Sequence, residues 1–160
     1  MMEGGPVCDK ELLRAVVLGV GNILLRDEGV GVHVVRELER LGVPKGVELV
    51  DGGTAGFGLA STMTSARVLI VIDAIDSEGA PGSVLRLAPE DLPRNQPSWA
   101  HQTGVLEVLD LAAAEGSRPM TVIFGVIPGS VEWGSELTPE VAAAVRTVAD
   151  LVLQELSGLC

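Results

Sequence analysis

Aromatic side chains are nearly missing from this chain: they make up 2 % of its 160 residues, and tyrosine is absent. The core must therefore be built from Val, Leu, Ile and Ala, residues that suit parallel strands buried on both faces. Lysine is scarce, occurring only as Lys10 and Lys45, and the formal net charge is −11. Binding to phosphate backbones needs clustered Lys and Arg, so nucleic acid is excluded as a partner. The acidity reads first as solubility, and a preference for a basic protein partner is the sharper alternative. The two cysteines, Cys8 and Cys160, stand near opposite ends. Without a CxxC pair there is neither a zinc knuckle nor a dithiol redox motif, and each reads as a free thiol on a tail. No apolar run approaches a membrane span, and residues 1–14 lack the apolar stretch of a signal peptide. These absences predict a soluble, cytoplasmic protein with no membrane insertion.

The composition is 47 % hydrophobic and 21 % charged, which is that of a globular chain. Its length suits one domain able to bury roughly 70 % of its unfolded surface. Five apolar runs read as strands: Ala15–Gly21, Val47–Asp51, Arg67–Ile75, Ser83–Leu87 and Thr121–Ile127. The first, third and fifth are apolar nearly throughout, as central strands covered on both faces should be. Helical periodicity fills the gaps. Val30, Val34, Leu38 and Leu41 mark one helical face, with Asp27 suited to the N-cap and Gly42 to the stop. Gly58–Thr64 suits one or two turns, and Thr103–Ala114 carries a broad apolar face. Thr138-Pro139-Glu140 opens a last helix running to Leu156, with proline at its first position.

Alternation of strand and helix predicts an α/β three-layer sandwich: a twisted, five-stranded, mostly parallel sheet with helices on both faces. The segment 76–82 is too short for a crossover helix, so the third and fourth strands are expected to pair antiparallel, making the sheet mixed. Residues 1–14 form a tail and 15–160 a single domain. The stretch Pro89–Ala100, with three prolines, Trp99 and no periodicity, reads as a long loop ending at His101.

Several chemistries fail on their motifs. Gly19-Val20-Gly21 follows a strand, but Leu24 stands where a dinucleotide fingerprint needs its third glycine. There is no P-loop, no HExxH and no GxSxG. Neither lysine lies near an apolar strand end, which removes Schiff-base chemistry. Carboxylates and one good imidazole remain.

In a parallel sheet, ligands bind beyond the carboxyl ends of the strands. Standing there are Asn22, Asp27 and Glu28 after the first strand, Asp51-Gly52-Gly53-Thr54 after the second, Asp73 near the end of the third, and His101 before a helix. Glu28 taken alone reads as a first-turn carboxylate facing the helix dipole. Asp73 interrupts a strand that otherwise looks fully buried, where an unpaired carboxylate is expensive. A lone His at a helix start is usually a surface residue, and His33 carries no role. Together Glu28, Asp73 and His101 offer two oxygens and one imidazole nitrogen, a set that suits Zn²⁺ or Ni²⁺ with positions left open. Asp51 would shape the cleft, and Gly52 and Gly53 would let backbone approach a substrate closely.

The run Val17-Leu18-Gly19-Val20-Gly21-Asn22-Ile23-Leu24-Leu25-Arg26-Asp27-Glu28-Gly29-Val30-Gly31 resembles the opening signature of the hydrogenase maturation endopeptidases. The resemblance continues through Asp51-Gly52-Gly53-Thr54, Asp73-Ala74, Ala80-Pro81-Gly82, His101-Gln102, Gly125-Val126-Ile127-Pro128 and Leu137-Thr138-Pro139, roughly over residues 15–156. It implies a five-stranded twisted sheet between helices. It also implies removal of a short C-terminal extension from the precursor of a nickel–iron hydrogenase large subunit once nickel is inserted. The family's metal-contacting Glu, Asp and His fall on Glu28, Asp73 and His101, with Asn22, Asp27, Asp51, Gly52, Gly53 and Thr54 around them as substrate-binding positions. On this reading the nickel is held by cysteine thiolates of the precursor rather than kept by the protease, and Asp73 could also act as general base. A self-sufficient metallopeptidase and a non-catalytic, nickel-checking chaperone are the alternatives. Trp99-Ala100 stands before His101 where relatives often carry a proline.

Overall fold

The computed structural model describes residues 14–92 and 100–159. Cys8, Cys160, Lys10, Trp99 and nearly all of the expected N-terminal tail lie outside them. The sequence-predicted strands all form: β1 (Ala15–Val20), β2 (Val47–Gly53), β3 (Val68–Ala74), β4 (Val84–Leu87) and β5 (Met120–Val126). They make one sheet in the order β2-β1-β3-β5-β4, parallel except for β4. Four helices follow the periodic segments: α1 (Val30–Leu41), α2 (Ala60–Ser65), α3 (Ala100–Ala114) and α4 (Pro139–Gly158).

Strand alternation divides the core into two layers. Val17, Ile70, Ile72, Phe124 and Val126 face α1 and α4, where they meet Val34, Leu38, Val148 and Val152. Val16, Leu18, Leu69, Val71 and Ile123 face the other way, onto Met63 of α2 and Val105, Leu106 and Leu109 of α3. The result is the expected three-layer α/β sandwich. Gly31 lets α1 lie directly on the sheet, since a methyl there would overlap the carbonyl of Ile72 and approach that of Val20 to 2.6 Å.

Two local expectations are corrected. β4 is antiparallel, but it pairs with β5 rather than with β3. β3 already has both edges filled by β1 and β5. The connection over residues 75–83 therefore crosses the end of β5, tied there by Gly82 N–H to Ile127 O (2.8 Å) and Ile127 N–H to Ser83 O (2.9 Å), and β4 takes the open edge. Asp27 does not cap α1. A 3₁₀ turn, Arg26–Gly29, intervenes, and the residue before the helix is Gly29, with no side-chain cap. Gly42 does end α1, at φ 85°, donating its N–H to Leu38 O at 2.9 Å.

Candidate active site

The chain leaves β1 through Gly21, whose φ of 129° lies in the region that side chains avoid. Its N–H donates to Gly53 O at 2.7 Å, joining the exits of β1 and β2. A methyl on Gly21 would overlap the Glu28 carbonyl and would stand 3.4 Å from Asp73 Oδ1. That one glycine thus marks where the main chain of Glu28 meets the carboxylate of Asp73. Glu28 is half-buried in the 3₁₀ turn. Asp73 is 2 % exposed, near the end of β3 opposite Gly125 of β5, and its Oδ1 accepts the Ala74 N–H at 2.7 Å. A carboxylate buried this deeply is uncommon and needs partners to be tolerated. His101 is the second residue of α3; its side chain lies outside the described residues. Among the described residues, no three His, Cys, Asp or Glu side chains form a metal-holding group.

Asp27, next to Glu28 in sequence, turns inward and is fully buried. Its Oδ2 accepts the N–H groups of Gly129 (2.8 Å) and Ser130 (2.9 Å) and the Thr138 hydroxyl (2.7 Å), while Oδ1 accepts the Thr138 N–H (2.7 Å). Burial alone would raise its pKa, but the Thr138 hydroxyl and the three backbone donors outweigh that and hold it below the ordinary carboxylate value. The segment after β5 is also pinned by backbone: Arg26 N–H to Gly134 O at 2.9 Å, Gly134 N–H to Leu24 O at 2.9 Å, and Asp27 N–H to Ser130 O at 3.1 Å. Arg26, the one non-glycine residue with positive φ among those described, donates its Nε to Glu136 O at 3.1 Å. Thr138 occupies the N-cap position of α4 ahead of Pro139, but its hydroxyl is committed to Asp27 rather than to the helix. Asp27, expected at the substrate-binding rim, has its oxygens enclosed by these four donors.

At the exit of β2, the register slips between Gly19 and Val20, so that Val20 pairs with Gly53. Asp51 is exposed, and its Oδ1 accepts the Gly53 N–H at 3.1 Å. Gly53, at φ 48°, keeps an open approach, and Thr54 is exposed. Gly52 is buried, and a methyl added to it would stand 2.7 Å from Leu18 Cδ1 and 2.8 Å from Leu59 Cδ1, so its missing side chain serves packing. Asn22 is half-buried and accepts the Leu24 N–H on Oδ1 at 2.9 Å, a local turn. Sequence reasoning missed the segment between β5 and α4. The Gly125-to-Pro128 run pointed to it, but nothing in the sequence links Asp27 to Ser130 and Thr138.

A buried aspartate beside the main chain of Glu28 thus stands at the carboxyl ends of the parallel strands, where open α/β sheets place their ligand sites. The family model for hydrogenase maturation proteases, HycI, matches residues 32–155. The hydrogenase 2 maturation protease of Escherichia coli is 43 % identical over 150 residues, covering 90 % of this chain and 91 % of that one. HupD of Thiocapsa roseopersicina, a hydrogenase expression/formation protein, is 37 % identical over 155 residues, covering 93 % of this chain and 69 % of that one. Among solved structures, the hydrogenase maturating endopeptidase HybD of E. coli superposes with a TM-score of 0.82 at 40 % identity, covering 91 % of this chain and 93 % of that one. A hydrogenase 2 maturation peptidase from a Thaumarchaeota archaeon superposes with a TM-score of 0.69 at 33 % identity, covering 89 % and 97 %. The chain belongs to the hydrogenase maturation protease family and is an endopeptidase. No helix among the described residues is long and apolar enough to cross a membrane.

Proposed function

We propose that this endopeptidase removes the C-terminal extension from the precursor of a nickel–iron hydrogenase large subunit after nickel has been inserted, and that it does so in the cytoplasm. The observation that carries the reading is the placement of Asp73, buried at the carboxyl end of β3, against Gly21 and the Glu28 main chain. The names of the relatives, hydrogenase maturation proteases, support the substrate class.

The nickel belongs to the substrate, held by the precursor's thiolates. Glu28 and Asp73 supply carboxylate oxygens and His101 an imidazole nitrogen to its open positions, a borderline donor set that Ni²⁺ accepts. Seated there, the metal fixes the scissile peptide beside the rim and can polarise its carbonyl. Asp73 is the candidate base, taking a proton from the water as its oxygen bonds to the carbonyl carbon and returning it to the departing nitrogen as the C–N bond breaks to acid and amine. Asn22, Asp51, Gly53 and Thr54 line the approach; Asp27 and Gly52 shape it from inside.

Intact mass of the cognate precursor, nickel-loaded and nickel-free, tests the proposal. Loss of a C-terminal peptide from the loaded form alone, abolished by His101→Ala, is the expected result. Cleavage of both forms would remove nickel as the gate. Binding of a verified loaded precursor without any mass change would leave a chaperone.

A further inference from the structure

Six large hydrophobic side chains are exposed among the described residues, and four of them sit on two segments that hydrogen-bond to each other. Ile23 (36 % exposed) and Leu24 (54 %) follow β1, while Val131 (50 %) and Trp133 (79 %) follow β5. Trp133 directly precedes Gly134, whose N–H donates to the Leu24 carbonyl at 2.9 Å, so the two pairs are brought together by main chain. The other two, Leu111 on α3 and Met120 at the first position of β5, lie elsewhere. A soluble surface rarely gathers exposed apolar residues in this way unless they are to be covered. A nearly naked tryptophan is the side chain most often found carrying the energy of a protein interface.

The surrounding charge limits what can cover the patch. Glu132 and Glu136 flank Trp133 and are exposed. Ion pairs elsewhere on the surface join Arg40 and Arg146 to Glu37, Arg146 to Asp150, Arg86 to Glu155, and Arg118 to Glu90. Glu132 and Glu136 take part in none of them. The Arg26 side chain alongside is turned onto the Glu136 carbonyl, and an apolar ridge edged by the two carboxylates complements an apolar surface edged by Lys or Arg. The ridge is also continuous with the candidate site: Ile23 and Leu24 lie between Gly21 and Glu28, and Asp27 fastens the loop that carries Val131 and Trp133.

We propose that Ile23, Leu24, Val131 and Trp133 form the surface on which the hydrogenase large-subunit precursor docks, through an apolar, Lys- or Arg-edged patch of its folded body rather than through the peptide that is cut. This rests on the substrate class proposed above. It adds a second contact, outside the metal-reading rim, that positions the precursor before its tail enters.

The test is equilibrium binding of the nickel-loaded precursor to the full-length protease, measured by biolayer interferometry alongside cleavage. Trp133→Ala and Val131→Ser should each weaken binding, with Trp133→Ala raising Kd about tenfold or more. Glu132→Lys combined with Glu136→Lys should weaken it further at low salt and less at high salt. Met120→Ser, which alters a side chain about as exposed as Leu24 and Val131 but at the far end of β5, should bind as the parent does. Circular dichroism and Tm of each variant exclude unfolding. If Trp133→Ala binds within twofold of the parent, the docking surface is wrong. It is equally wrong if sedimentation shows that the parent is a dimer and Trp133→Ala a monomer, since the ridge then seats a second copy. If the parent binds the loaded precursor but never cuts it, the endopeptidase reaction on this substrate fails while the ridge is still judged by Kd.

Discussion

Residues 24–27 and 129–138 hold each other through paired backbone hydrogen bonds and through the four donors gathered on Asp27. On the other side of β1, residues 51–54 are exposed at Asp51 and Thr54; the Gly53 carbonyl accepts the Gly21 N–H, and the Gly53 N–H is donated locally to Asp51 Oδ1. The two halves of the same rim are thus built for different ends. The clamped half keeps Glu28 and the apolar ridge in fixed relation to the sheet. The open half leaves backbone and short side chains accessible. The contrast between Asp27 and Glu28 is sharper still: adjacent carboxylates, one enclosed and holding a loop, the other half-buried at the rim.

Removing the clamp should be the most damaging change. Asp27→Ala leaves three backbone N–H groups and a hydroxyl, part-buried, without the carboxylate they share, and should lower stability by about 3 kcal/mol, read as urea midpoint at constant slope. The same residue gives a pH signature. Its folded pKa is depressed, so its contribution is present above the unfolded carboxylate value near 4 and is lost as pH falls through the lower folded value. Asp27→Asn should therefore flatten the acid limb of stability below about pH 5 while costing less at neutral pH than Asp27→Ala.

Gly21→Ala comes next. Its φ of 129° and the overlap of any methyl with the Glu28 carbonyl should cost about 2 kcal/mol and shift Glu28 off Asp73. Cleavage of the loaded precursor should then fall by more than the lost stability accounts for at a temperature where the variant remains folded. Thr138→Val removes one donor to Asp27 and keeps the N–H bond, so about 1 kcal/mol is expected in thermal denaturation. Asp51→Ala, in the open half, should stay within about 0.5 kcal/mol of the parent and show itself, if the cleft reading holds, as a higher KM for the precursor. Should Asp51→Ala unfold the protein as readily as Asp27→Ala does, the division of the rim into clamped and open halves is wrong.

The central strands were legible because Val17-Leu18 and Val68-Leu69-Ile70-Val71-Ile72 are unbroken apolar runs, and burial on both faces leaves no other reading. Asp73 was legible for the same reason, as the one charge set in such a run. The partner of β4 was not, because a short connection predicts direction but not whether an edge is free. Asp27 was misread because an aspartate ahead of a helix looks the same whether it caps that helix or accepts from residues more than a hundred positions away. Gly52 and Gly53 look alike in sequence. Packing against Leu18 and Leu59 explains the first, and a positive φ the second. The exposure of Trp133 runs against the usual burial of tryptophan, and only its neighbours in space reveal it.

The most direct measurement is X-ray absorption at the nickel edge of the loaded precursor, alone and mixed with the protease. The parent should add oxygen and nitrogen scatterers to a thiolate shell, whereas Glu28→Gln, Asp73→Asn and His101→Gln combined should add none and should not cut. An unchanged thiolate shell in a mixture that goes on to cleave would contradict the reading of the substrate's nickel by these three residues.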